Sequence, residues 1–189
     1  MGEKGSRHIA LVLLLLLVLA VPQEAFANSA GKTGRSDSGC GGTACHSNTG
    51  TVTPDLSGLP GSGYSAGAVY TLTMGGSGGP SGTNGGFNLD ASHGAFSNPG
   101  SNAQILTGEV THSNSNSRSW TVDWTAPSSG SGDVTFYLAV NFVNGNNGND
   151  GDAWGYSSWI SSQATASTNS SLNQAGSERG SVFSNSVFE

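Results

Sequence analysis

Charge is scarce in this 189-residue chain: 10% of its residues are Asp, Glu, Lys or Arg, and only six are basic against 12 acidic. The net charge of −6 leaves no basic patch with which to hold nucleic acid or anionic lipid. Long apolar runs are equally scarce. One opens the chain and no other approaches membrane length, so no membrane span is expected in the mature protein. Helical periodicity is missing, and none of the many serines sits in a Gly-x-Ser-x-Gly elbow, which argues against a hydrolase. Cysteine occurs twice, at Cys40 and Cys45, so thiol chemistry is confined to one short stretch.

The single apolar run has the marks of an address. "MGEKGSRH" is polar and leans basic, Ile9 to Val21 are all apolar, and "PQEAFA" ends in the small-x-small pattern Ala25-Phe26-Ala27. The run is short for a bilayer span and carries a cleavage pattern, so residues 1–27 read as a secretory signal peptide. An exported protein follows: periplasmic, cell-surface or extracellular.

What remains is rich in Gly, Ser, Asn and Thr, a composition shared by disordered chains and turn-rich β-proteins. Periodicity separates them. Tyr70, Leu72 and Met74 alternate with polar neighbours. Phe87, Leu89, Ala91 and His93 share one face, with Asn88 and Asp90 on the other. Leu106, Val110 and His112 fall together, as do Trp120, Val122 and Trp124. Val134, Phe136, Leu138, Val140 and Phe142 complete the set. Five such strands predict an all-β fold, an immunoglobulin-like antiparallel β-sandwich over 67–162. A Gly/Ser-rich leader, 28–66, carries the cysteines and two punctuating prolines, Pro54 and Pro60. The segment 163–189 has no comparable pattern and reads as a flexible tail, with "SVF…SVF" as its only apolar feature. Asp90, Glu109 and Asp123 oppose the apolar faces of their strands and read as solvated charges.

"PDLSGLP", "GGFNLDAS" and "GEVTHSNSNSRSWTVDWTAPSSGSGDVTFY" resemble the Reeler-like domains of bacteria and archaea, also called choice-of-anchor V domains. The resemblance covers roughly residues 28–160. It implies a secreted immunoglobulin-like sandwich held at the cell by varied C-terminal devices, and many such proteins carry Cys-x-x-Cys-His just before the domain. This chain departs from that pattern, with four residues between its cysteines.

That departure lies in "SGCGGTACHSN", Ser38 to Asn48. A c-type haem needs two thiols to add to the porphyrin vinyl groups and an imidazole for the iron, here Cys40, Cys45 and His46. Gly41 and Gly42 would let the backbone bulge and keep the sulfurs close. Two cysteines in an exported chain equally predict a disulfide, and four intervening residues permit it. A metal site would need a further ligand beyond two thiolates and one imidazole. If haem c binds, His93 is the expected distal ligand and His112 the alternative. The expected chain polarity places the leader at the end of the sandwich where the strand bearing His93 finishes. Met74 continues an apolar face and reads as core, and His112 also suits a structural hydrogen bond at the rim.

The stretch "NGNNGNDGDAW" gathers Asn144, Asn146, Asn149, Asp150 and Asp152. Weak calcium sites of extracellular modules use such oxygen-rich loops, although no EF-hand spacing is present and the same residues are ordinary turn chemistry. Two functions are therefore expected. One is an exported haem-bearing electron-transfer protein acting on redox partner proteins. The other is a non-enzymatic adhesion or matrix module with Cys40–Cys45 as a disulfide, meeting other surface proteins.

Overall fold

The computed structural model describes residues 28–41, 46, 52–146 and 148–165. Residues 1–27, read above as a signal peptide, Cys45 and the residues beyond 165 lie outside the described residues. Among those described there is no helix, and so none long and apolar enough to cross a membrane.

Nine strands form two antiparallel sheets: β1 (Val52–Ser57), β2 (Val69–Gly78), β3 (Gly85–Ala91), β4 (Ala95–Ser97), β5 (Ala103–Leu106), β6 (Glu109–His112), β7 (Trp120–Thr125), β8 (Val134–Phe142) and β9 (Ala153–Ser161). One sheet has the order β1-β2-β7-β4, the other β5-β6-β3-β8-β9. The alternating residues named above meet between the sheets. Leu72, Met74, Phe87, Leu89, Val110, Trp120, Val122 and Trp124 are all buried, as are the five apolar positions of β8. This is the predicted all-β sandwich, and its core is the set of residues that the period of two selects.

The strands missed by the sequence reading each have a physical reason. β1 lies in the segment assigned to the leader, because Pro54 argues against a strand. It is the outer strand of its sheet, pairing only with β2, where a missing N–H is tolerated. The sandwich therefore begins at Val52 rather than residue 67. β9 alternates poorly because Trp154, Tyr156 and Ile160 line one face while Ala153 and Trp159 line the other. Leu106 and Val110 do not share a strand. Thr107 and Gly108 (φ 50° and 90°) make a two-residue hairpin turn between β5 and β6, leaving Leu106 exposed beside a fully buried Val110.

Register sets the geometry of the two ends. Val52 pairs with Gly78 at the close of β2, and Gly85 at the start of β3 pairs with Phe142 at the close of β8. Phe142 in turn faces Ala153, the first residue of β9. At this end Arg118 donates to the carbonyl oxygens of Pro80 (2.7 Å), Asn84 (2.9 Å) and Val143 (3.1 Å). Its guanidinium also sits 4.4 Å from the Phe142 ring centre. Arg118, one of the few basic residues, thus ties three loops together.

Candidate functional site

The leader is a strap across the outer face of the five-stranded sheet. Lys32 N–H donates to Thr111 Oγ1 (3.1 Å), Gly34 N–H to Glu109 Oε2 (2.9 Å) and Arg35 N–H to Asn88 Oδ1 (2.7 Å). Asn88 Nδ2 donates to the same Glu109 oxygen at 2.8 Å. Beneath this strap Asn88 and Thr111 are buried, and so is Ala139, the partner of Asn88 across the β3–β8 ladder. Polar residues on what the sequence presents as a solvent face are therefore used as acceptors for the strap. Glu109, expected to be solvated, is one of them. Asp90 is partly buried beside it, and burial raises its pKa, opposed by the Ala91 N–H bond and reinforced by Glu109 and Asp37. Asp123 does lie in solvent, where hydrogen bonds from Asn98 and then Thr71 lower its pKa.

The strap ends in the cysteine–histidine loop. Cys40 is half-buried. His46 returns to the strap through its N–H, which donates to Cys40 O (3.3 Å), and through a parallel bridge to Gly41. The His46 ring is anchored by Nδ1, 2.6 Å from Asp152 Oδ2, with the His46 side chain 12% exposed and the Asp152 side chain 1% exposed. Asp152 Oδ1 accepts from Asn144 N–H at 3.0 Å. A second contact holds the loop: any Cβ at Gly39 or Gly41 would collide with the Trp154 indole. Gly39 also has φ 75°, so at that position both space and conformation require glycine. The glycines around Cys40 thus let backbone lie directly on an aromatic ring of β9.

The structure separates the histidines. The cysteine–histidine loop sits where β9 begins, which is the end where β3 also begins. His93 follows the opposite end of β3, beyond Ala91, which pairs with Phe136. Seven residues of strand, about 23 Å, lie between the two ends. The expectation that His93 is nearer is corrected by β1, a strand the sequence reading omits and which reverses the polarity of entry. His93 is exposed, with Nδ1 3.2 Å from Ser92 Oγ, and its carbonyl accepts from Trp124 Nε1.

His112 lies closer to the loop, with both ring nitrogens engaged. Phe87 N–H donates to Nδ1 (3.1 Å), and Nε2 lies 3.1 Å from Asn28 O. Nδ1 also lies 3.2 Å from Phe87 O, so backbone groups hold the ring at both nitrogens. Burial lowers the His112 pKa, and His46 adds a smaller push in the same direction against the two backbone bonds. The folded-state value lies below the unfolded one of about 6.5, so the unfolded chain binds more protons beneath that pH. The contribution to stability is full above about 6.5 and is lost as pH falls through the window below it. Thermal denaturation at pH 7.5 and 5.5 should show a lower midpoint in acid, and His112→Gln should reduce the difference. An equal pH dependence in that variant would refute this role.

Among the described residues of the oxygen-rich loop, several acceptors are met by the loop's own donors. Asn146 N–H donates to Asn144 Oδ1 (3.0 Å), Gly148 N–H to Asn146 Oδ1 (2.8 Å) and Asn146 Nδ2 to Asp150 Oδ1 (3.1 Å). Asn144 Nδ2 reaches Asp150 O at 2.8 Å. The first two are Asx turns, and the Asn144 N–H bond to Asp152 joins this loop to the carboxylate that holds His46. Asn149 follows in the same loop. The link between this loop and His46 was not legible in the sequence, because 106 residues separate Asp152 from its partner.

Comparisons with known proteins match the sandwich. Residues 62–143 match the Reeler domain family. The chain is similar to the Reelin-N domain of F-spondin, at 23% identity and TM-score 0.40, covering 50% of this chain and 75% of that one. It is also similar to the human F-spondin reeler domain, at 18% identity and TM-score 0.44, covering 60% and 93%. No curated protein matches.

Proposed function

We propose that this Reeler-type sandwich is an exported, non-enzymatic surface or matrix module, and that its cysteine–histidine loop is a structural clasp closed by a Cys40–Cys45 disulfide. The observation that carries this reading is the anchorage of His46. Its ring is pinned to a buried carboxylate, and its loop is pressed on Trp154, so the residues that looked like a cofactor site also fasten the strap to β9. A disulfide across that loop would add constraint of the kind that exported domains commonly use.

One feature supports the second reading, a c-type haem. With Nδ1 held by Asp152, His46 Nε2 is the nitrogen left for a metal, and a carboxylate behind a histidine is the usual arrangement for an iron or zinc ligand. Against it stands the placement of the other histidines: His93 is at the far end of the sandwich, and His112 would have to give up two hydrogen bonds. Protein exported from a host equipped for covalent haem attachment should therefore be colourless. A Soret band that survives denaturation and extraction would establish the cytochrome reading instead.

A further inference from the structure

The outer face of the five-stranded sheet is covered by the strap only in part. The strap's hydrogen bonds reach Thr111 and Asn88, which share a row with Ala139 and Tyr156 across the ladders. The next two rows are open. Tyr137 lies opposite Asp90 on one side and Ser158 on the other, and Thr135 lies opposite Ile160. Tyr156 and Ile160 are therefore both diagonal neighbours of Tyr137 on one face. Tyr137 is 36% exposed, Tyr156 54% and Ile160 67%, which makes a contiguous apolar patch. Beyond β9 the chain is tied down at this same end of the sheet. Tyr64 N–H donates to Ser162 O (2.9 Å), Ala164 N–H to Tyr64 O (2.8 Å) and Gly130 N–H to Gln163 Oε1 (2.9 Å). Residues 166–189 therefore leave the sandwich only a short way past Ile160.

We infer that the Val182-Phe183 and Val187-Phe188 pairs of this following segment dock on the patch of Tyr137, Tyr156 and Ile160, closing the half of the face that the strap leaves open. Reach is ample. The chain between Thr165 and Val182 extends to about 55 Å, whereas Ile160 and Tyr156 lie about 13 Å apart along β9. Size selects a tethered partner over a free one. Three side chains offer far less than the about 800 Å² per partner of a stable interface. A segment of the same chain needs less, because it is present at about millimolar effective concentration. Phenylalanine brings a flat apolar face to the two tyrosine rings. Charge selects this segment over a second copy. Asp90 borders the patch, with Glu109 and Asp37 near enough to act on it. Face-to-face pairing of two copies would bring these acids together, whereas Arg179 precedes Val182 by three residues. Of the other basic residues in 28–189, Lys32 and Arg35 belong to the strap and Arg118 is held by three carbonyls.

The test is photo-crosslinking of the full exported protein with a benzophenone amino acid at Ser158, an exposed position between Tyr156 and Ile160. Crosslinks mapped by peptide mass spectrometry should join position 158 to residues 181–189 of the same chain. Their yield should not change with protein concentration. The same probe at Thr71, exposed on the outer face of the other sheet, should give no such product. Combining Phe183→Ser with Phe188→Ser should lower the yield about tenfold, since aromatic anchors carry most of a small contact. No crosslink to 181–189, an equal yield from Thr71, or a yield unchanged by the two serines would each overturn the inference. A crosslinked dimer that grows with concentration would overturn it in favour of a second copy.

Discussion

Replacing Trp124 with Ala should remove about 3–5 kcal/mol of stability, the cost of emptying a large aromatic site in a packed core. Trp124 is fully buried. It meets Tyr64 edge-on at 5.7 Å, Phe136 edge-on at 4.8 Å and Tyr70 in a stack at 5.9 Å. Its Nε1 donates to His93 O at 3.1 Å, which ties β7 to the turn after β3. No single neighbour can fill the space, because these rings come from different parts of both sheets. A domain of this size has only about 5–15 kcal/mol in total, so the variant should unfold at markedly lower denaturant. Trp124→Phe should lie between it and the parent. A midpoint within error of the parent would show that this end of the core is not packed as described.

The second large effect concerns the clasp. Asp152→Ala strands the largely buried His46 Nδ1–H, at a cost of about 1–3 kcal/mol, and also removes the acceptor of the Asn144 N–H, which the solvent at that exposed residue can replace. The loss should be local. Amide hydrogen exchange over residues 28–41 should accelerate, while β2 and β7 keep most of their protection, because strap and core make separate sets of contacts. Asp152→Asn retains one acceptor and should recover part of the protection. Uniform acceleration through the whole sandwich would contradict the picture of a strap fastened at its end.

These two variants mark what was legible in the sequence. Trp124 is identified by alternation alone, since Trp120, Val122 and Trp124 share a face in "SWTVDWTAP". The same rule finds the inner positions of β2, β3, β6 and β8. It fails where two faces are both covered. Asn88 and Glu109 have the right parity for solvent, yet the strap lies over them, and nothing local in "FNLDAS" or "GEVTH" announces that cover. Pro54 hid β1, and with it the direction in which the leader enters, so His93 was expected at the wrong end. The candidate site was visible only as an isolated cluster, Cys40, Cys45 and His46. Its partner Asp152 was legible as an oxygen ligand in a turn, but pairing across more than a hundred residues is a property of the fold. Trp154 offered a faint signal: a tryptophan immediately after an Asx-rich loop, matched by glycines flanking a cysteine.

The central claim is that the cysteine–histidine loop fastens a strap to a surface module. Intact mass of the exported protein, denatured with and without reductant, tests it most directly. The account predicts a mass two hydrogens below that of the fully reduced chain, rising by those two hydrogens on reduction. A mass greater by one haem and unmoved by reductant would contradict it.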